Sequence, residues 1–483
     1  MKFFIINPPY DIERYMGKLS KVGWVFPPAG LLSLASFLES NGVQVRLYDA
    51  QVATTPLVEE IRRFRPDMVG ITCTTALVYS MKHTAKLVKD NFDIPVVVGG
   101  VHPTVMPDET LGDPNVDFVV RGEGEITTYE LLRALKTKRY GRILGLSYTA
   151  NGKVVHNPPR PLIKNLDDLP YPAYHLIEFD KLRSSPDLDF GSRMMVVYGS
   201  RGCPYNCVFC ANRILTNRRW RVRSVHNLMG EIDLLINKYG INFIMMGDND
   251  FTVNREWAME FCREYIKRGY SHIGWEANVR ADQVDDDLLA LMKKAGCRLI
   301  LLGLESGVQR ILDMMNKQIT LEQAETAVKK IKKAGMLVRA SFILGMPTET
   351  REESLQTIRF AKKLPLDQVR FAVATPFPGT ELFDMAKQDG MGEIDDWTKF
   401  SLMVGYTGHD PVYVPHGRAA EEIKALQRKA NLEFFLRPRI IWSMAKRIRS
   451  FRDVKKMARG LYHFMKATFL VESGDSGRID LAD

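Results

Sequence analysis

No run of apolar residues in this 483-residue chain approaches the roughly 18–20 needed to cross a bilayer, so no spanning helix is expected. Cysteine and histidine are scarce, at six and nine residues, which excludes a disulfide-stapled scaffold at this length. No repeat of roughly 20–50 residues recurs beyond a strand–helix alternation, which excludes a solenoid. The first residues, MKFFIINPPY, hold a lysine and a short apolar run that Asn7-Pro8-Pro9 stops. A secretory leader needs about 7–15 apolar residues, so a buried first strand and a cytoplasmic location are expected. Thiols stay reduced there, and clustered cysteines then point to metal or redox chemistry. The net charge is +10, but residues 437–466 carry ten basic residues against Asp453 alone, so the basicity belongs to the C-terminal tail.

What is present falls into four stretches. Residues 1–148 alternate β-branched apolar runs (KFFII, VQVRLYD, DMVGITC, IPVVVGG, VDFVV) with helical patterns. That alternation predicts an α/β, doubly wound (Rossmann-like) domain whose ligands bind at the carboxyl ends of its parallel strands. Residues 149–192, dense in Pro, Asn and Asp, read as a linker with room for a small hairpin. Residues 193–384 resume the alternation, with strands expected at 194–198, 241–246, 272–276, 298–303, 337–344 and 368–374. Helical patterns follow at 224–239, 254–268, 285–295, 320–335 and 351–364. Six units fall short of a complete eight-fold barrel, so a partial (βα)6 TIM-type barrel is expected. Residues 385–483 read as a helical region ending in an unpatterned tail.

Three of the six cysteines sit in SRGCPYNCVFCANR, at Cys203, Cys207 and Cys210, just after the first expected barrel strand. Three thiolates leave a metal site one ligand short. A lone zinc with three ligands and a water is one answer, but such sites more often use histidine, and none is nearby. A four-iron cubane fits better, because its fourth iron stays free to hold a small molecule through amine and carboxylate groups. The remaining Cys73, Cys262 and Cys297 are scattered in apolar contexts and read as core residues.

CxxxCxxC with Phe209 directly before the last cysteine resembles the signature of the radical S-adenosylmethionine (radical SAM) family. MMGDNDF, GWEANVRAD, LLGLESG and ASFILGMPTET at later strand ends extend the likeness. The resemblance implies a 4Fe–4S cluster on Cys203, Cys207 and Cys210. It also implies S-adenosylmethionine contacts from Phe209, Gly247, Asp248, Asn278, Arg280, Glu305, Gly345 and Pro347, with Asn249, Glu276 and Ser306 nearby. Upstream, PPAGLLSLASFLESNGVQVRLYDA, GITCTT, VVVGGVHPT and VRGEGE resemble the cobalamin-binding domain that precedes such barrels. That likeness implies cobalamin contacts from Asp49, Gln51, Thr72, Thr74, Gly99, Gly100, His102, Gly122 and Glu123. Many such domains carry Asp-x-His-x-x-Gly, whose histidine ligates cobalt. Here the positions read Asp49-Ala50-Gln51-Val52-Ala53-Thr54, so cobalamin is expected with its own base displaced and no histidine on cobalt.

The whole is similar to anaerobic magnesium-protoporphyrin monomethyl ester cyclase-like, hopanoid-modifying and class B methyltransferase proteins. The implied chemistry is reductive cleavage of S-adenosylmethionine to a 5′-deoxyadenosyl radical, hydrogen abstraction from an unactivated carbon, and methyl transfer. Oxidative cyclisation without methylation is the alternative, and a non-catalytic cobalamin or redox sensor is a third. Implied partners are a small-molecule or lipidic substrate and an electron donor such as flavodoxin or ferredoxin. His272, Tyr198 and Glu276 are candidates to face the barrel mouth, but no acid–base pair is assigned. The tail interleaves Ile440, Ile441, Met444, Ile448 and Phe451 with its cations at helical spacings. It reads as a helix packed on the barrel or as a peripheral contact with the inner membrane face through 437–466. Nucleic acid is not an expected partner, because no recognised nucleic-acid fold accompanies the charge.

Overall fold

The computed structural model describes residues 1–11, 27–182, 193–394 and 396–445. Two parallel sheets dominate. The first holds β1 (Lys2–Asn7), β2 (Gln44–Asp49), β3 (Met68–Thr72), β4 (Val96–Gly99) and β5 (Phe118–Val120), all parallel. The antiparallel hairpin of β6 (Leu146–Ala150) and β7 (Lys153–His156) extends it, in the order β2-β1-β3-β4-β5-β6-β7. Asn151 and Gly152 connect the hairpin at φ 49° and 72°, the left-handed pair that a tight hairpin turn requires. The sheet therefore runs on past residue 148 into the stretch read as a linker.

Successive side chains in the apolar strands enter different cores. Phe3, Ile5, Met68, Val97 and Val120 join one cluster, and Phe4, Ile6, Val69, Val98 and Val119 join another. This explains why the strands read as unbroken apolar runs: both faces are covered. The strand order reverses at β1, between β2 and β3, which opens a crevice at the carboxyl ends.

The second sheet is the open six-stranded barrel. It holds β8 (Met194–Val197), then, after a short ribbon of β9 (Ser200–Arg201) and β10 (Arg221–Val222), β11 (Phe243–Met246), β12 (Gly274–Val279), β13 (Cys297–Glu305), β14 (Leu337–Leu344) and β15 (Gln368–Val373). The barrel strands are all parallel, in the order β15-β14-β13-β12-β11-β8. Five helices pack outside it: Val225–Tyr239, Arg255–Lys267, Asp286–Lys294, Leu321–Lys333 and Arg351–Lys363. Each starts at a polar cap, Ser224, Asn254, Asp285, Thr320 or Thr350, whose side chain accepts a backbone N–H of the first turn.

Beyond the barrel, helix Ala420–Phe435 lies along β15, where Gln427 Nε2 donates to Phe371 O at 2.7 Å. Residues 389–419, expected to be helical, form an irregular strap that holds, among its described residues, the two 3-10 turns Trp397–Lys399 and Val404–Tyr406. Trp397 and Phe400 of this strap complete the second core of the first sheet. Arg437 and helix Pro438–Ala445 begin the basic tail; residues 446–466 lie outside the described residues. Among the described residues no helix is long and apolar enough to cross a membrane.

Candidate functional site

The cysteine loop is held at its root by geometry that only glycine permits. Gly202 has φ 97°, and a Cβ there would lie 2.0 Å from Arg219 O. The β9–β10 ribbon, with Arg201 opposite Arg221, closes the loop that carries the thiols. Three hydrogen bonds from two outside segments pin it: Val208 N donates to Met315 O (3.1 Å), Asn316 Nδ2 to Asn206 O (3.0 Å) and Leu382 N to Val208 O (2.9 Å). Phe209 packs against the apolar cluster of Val208, Ile311, Met315 and Met346. Cys203 and Cys207 are half-buried and Cys210 is exposed. Three thiols on one loop suit a cluster that takes one thiolate per iron.

Charge is organised around this loop. The Lys317 side chain, buried beside Cys207, donates to Glu305 Oε1 at 3.0 Å. Glu305 ends β13 at φ 63°, where the strand register shifts. Burial alone would lower the Lys317 ammonium, but Glu305 and Cys207 outweigh it and hold its pKa above the ordinary value. Burial pushes all three thiols up, and Lys317 opposes that at Cys207 and Cys210. Arg280 forks onto Asp282 (3.0 and 3.1 Å), donates to Lys317 O (3.0 Å) and lies over the Tyr205 ring at 3.6 Å. Arg280 and Glu305, both named from the sequence, thus gather round the cysteines with Lys317, Tyr205 and Asp250, which were not. Strand-end position identified the first two; Lys317 and Tyr205 lie in loops whose paths only tertiary contacts define.

Other residues named from the sequence are turned elsewhere. Asp248 is fully buried, accepts from Gly199 N (3.1 Å) and Ser200 Oγ, and is pushed up to about 6 by burial. It braces the root of the cysteine loop and does not present a carboxylate at the mouth. Asn278 Nδ2 donates to Asp248 O (2.9 Å), and Gly247 lies under the Tyr198 ring, 2.6 Å from any added Cβ. Asn249 Nδ2 reaches Gly202 O at 3.5 Å. Gly345 N and Met346 N donate to buried Glu349 Oε2 (2.5 and 2.9 Å), and a Cβ at Gly345 would meet Ile423. Those N–H groups are therefore spent within the chain, and Pro347 beside them is buried. Ser306 Oγ accepts from Val308 N (3.1 Å) and meets Thr357 Oγ1 (3.2 Å), a local brace. Glu276 lies buried within β12. His272 precedes β12 and is exposed at the amino end of the barrel, opposite the mouth.

A cavity of about 590 Å³ lies between the two sheets. Thr72, Thr74, Gly99, Gly100, Gly122 and Glu123 line it from the first domain, and Tyr198 and Arg201 line it from the barrel. Gly100 sits at φ 122° with Cys73 O only 2.5 Å from an added Cβ, so the turn after β4 hugs the preceding strand end. Three residues named from the sequence do not line the cavity. Asp49 accepts from Asn7 Nδ2 (3.0 Å) and Gln51 N (3.1 Å), so it orients Asn7, which does line it. Gln51 follows the edge strand β2. His102 is wholly buried between Thr75 Oγ1 (3.3 Å) and Glu109 Oε2 (3.2 Å), edge-on to Trp397; the helical turn Val101–Val105 carries it into the core.

Residues 197–361 match the Radical SAM superfamily and residues 18–132 match the B12 binding domain. An uncharacterised methyltransferase of Pyrococcus horikoshii is 39% identical over 91% of this chain and 94% of its own length. An anaerobic magnesium-protoporphyrin IX monomethyl ester cyclase of Rubrivivax gelatinosus is 32% identical over 83% of this chain and 73% of its own. The chain belongs to the radical SAM superfamily. It is a cobalamin-dependent radical SAM enzyme of methyltransferase or cyclase type, and its cofactors are a 4Fe–4S cluster, S-adenosylmethionine and cobalamin. The fold is similar to that of OxsB, a cobalamin-dependent S-adenosylmethionine radical enzyme solved with aqua-cobalamin and S-adenosylmethionine. The TM-score is 0.72 at 18% identity, over 97% of this chain and 72% of that one.

Proposed function

We propose that this radical SAM enzyme methylates an unactivated carbon of a small or lipidic substrate. The observation that carries the reading is adjacency. Tyr198 and Arg201 line the interdomain cavity, and Cys203 follows two residues later, so a ligand in the cavity and a cluster on the thiols share one short segment. When bound, the cluster supplies the electron that cleaves S-adenosylmethionine and cobalamin supplies the methyl group.

The protein's own part is to hold and exclude. Cys203, Cys207 and Cys210 hold three irons. Lys317 and Arg280 place positive charge beside the anionic thiolates, and Phe209 with its apolar cluster keeps water from that flank. Thr72, Thr74, Gly99, Gly100 and Gly122 form the cobalamin seat. Gln51 is not among the residues lining the cavity, which supports a cobalamin held there without a histidine on cobalt. A flavodoxin or ferredoxin serves as electron donor. Ile441 and Trp442 are 51% and 64% exposed beside Arg439, which favours a peripheral contact with anionic lipid at the start of the tail. Oxidative cyclisation stays as a second reading because of the cyclase relative.

The test is anaerobic reconstitution with iron, sulfide and hydroxocobalamin, then incubation with deuterium-methyl S-adenosylmethionine and cell extract. Label in a product together with S-adenosylhomocysteine is the expected result, and Cys207→Ala should abolish it together with the bound iron. 5′-Deoxyadenosine formed without S-adenosylhomocysteine would favour cyclisation.

A further inference from the structure

Glu123 stands where the two halves of the molecule meet. It follows Gly122 in the turn after β5 and lines the cavity. Yet its oxygens are all but spent on the other side of the seam. Arg201 Nη1 donates to Oε1 (3.1 Å), Arg221 Nη2 to Oε1 (2.9 Å), Arg221 Nη1 to Oε2 (3.0 Å) and Ile163 N to Oε2 (2.8 Å). Arg201 forks further, its Nη2 donating to Glu125 Oε1 (2.7 Å) and Ser33 Oγ (2.9 Å). Arg201 and Arg221 are direct cross-strand partners in the β9–β10 ribbon. Two arginines opposite each other repel, and an anion between them offsets that repulsion. Glu123 is that anion, and it comes from the other domain.

The consequence is geometric. The ribbon is the neck of the cysteine loop: Arg201 lies two residues before Cys203 and Arg221 eleven after Cys210. One carboxylate on the cavity wall therefore holds both ends of the loop that carries the thiols. Charge-assisted pairs with a forked guanidinium are directional as well as strong, and these are largely withdrawn from solvent, with Arg221 10% and Glu123 15% exposed.

We propose that Glu123, with Arg201 and Arg221, is a positioning residue that couples the two cofactor seats, so that each seat binds more tightly when the other is filled. This rests on the functional reading above. A ligand that orders the Gly122–Glu125 turn orders the ribbon through Glu123, and a cluster that orders the loop does the reverse. Reciprocity follows from linkage: the factor by which cluster loading changes cobalamin affinity must equal the factor by which cobalamin changes cluster affinity.

The experiment titrates hydroxocobalamin, followed by absorbance, into full-length protein with and without the reconstituted cluster. Wild type is expected to bind cobalamin on the order of five- to tenfold more tightly with the cluster present. Glu123→Gln keeps the shape but loses the charge, and its factor should fall to about one. Electron paramagnetic resonance gives a second readout that mere loss of stability would not produce. The reduced cluster's signal should change on adding cobalamin in wild type and not in Glu123→Gln. Should Glu123→Gln fail to fold, Arg201→Lys keeps the charge but cannot fork between two carboxylates, and it carries the same test. An equal factor in wild type and variant, or a wild-type factor of one, overturns the coupling. Absence of any cobalamin binding to wild type instead overturns the cobalamin seat itself, and the coupling with it.

Discussion

Single residues in the site show what a side chain's type reveals and what its direction hides. The three cysteines were legible because their spacing alone limits the chemistry. Asp248 was legible as a carboxylate at a strand end, but its rotamer depends on Ser200 and Gly199, two groups no local pattern brings near it. Burial pushes it up to about 6, the hydrogen bonds from Ser200 and Gly199 partly opposing. An acid whose pKa is higher folded than unfolded holds a proton, between about pH 4 and 6, that the unfolded chain has released. Its contribution is full below about pH 4 and is lost as pH rises through 6. Asp248→Asn is neutral throughout and lacks this dependence. Urea denaturation at pH 4.5 and 7.5 should therefore show the wild type losing roughly 1–3 kcal/mol relative to the variant on going to the higher pH. A wild-type-to-variant difference that stays constant with pH would remove the buried proton from the account.

At the scale of elements, periodicity carried the fold. All eleven strands expected for the two main sheets form, and each capped barrel helix begins within a residue or two of its expected start, because Ser224, Asn254, Asp285, Thr320 and Thr350 are local signals. The short helix Gln309–Met314 and the strap over 389–419 were not foreseen. The helix is too short for its own periodicity to decide its form, and the strap has no period and is fixed by distant partners, as where Gly405 N donates to Gln427 Oε1 at 2.7 Å. Turns discriminate between glycines in the same way. Gly240, at φ 65°, ends helix Val225–Tyr239 with its nearest neighbour 3.5 Å from an added Cβ, so Gly240→Ala should cost only the left-handed strain, about 1 kcal/mol. Gly202→Ala adds a collision with the Arg219 carbonyl, a backbone atom that cannot swing aside. It should cost several-fold more, and the chain should take up little iron on reconstitution while Gly240→Ala takes up the wild-type amount. Equal iron content in the two variants would show that the loop root tolerates a side chain.

The whole molecule is less modular than its two sheets suggest. Phe3, Ile5, Val97 and Val120 of the first sheet belong to the same apolar cluster as Met195, Val197 and Trp257 of the barrel. The opposite face of the first sheet is completed by Trp397 and Phe400, nearly three hundred residues downstream of β4. No sequence pattern announces that contact, since the strap has no period and the resemblance implies a cobalamin contact for its partner His102. The Trp397 ring meets His102 edge-on at 4.7 Å and Phe400 at 5.2 Å, and its backbone N–H donates to Tyr79 Oη. Removing a buried tryptophan of this kind costs about 3–5 kcal/mol. The location of the loss matters more than its size. If the strap is part of the first domain's core, Trp397→Ala should speed amide exchange in β3 and β4, along the turn Val101–Val105 and at the cavity glycines Gly99 and Gly100, as well as in the strap. Faster exchange confined to residues 396–407 would mean that the strap docks on a finished domain, and that the cavity wall stands without it.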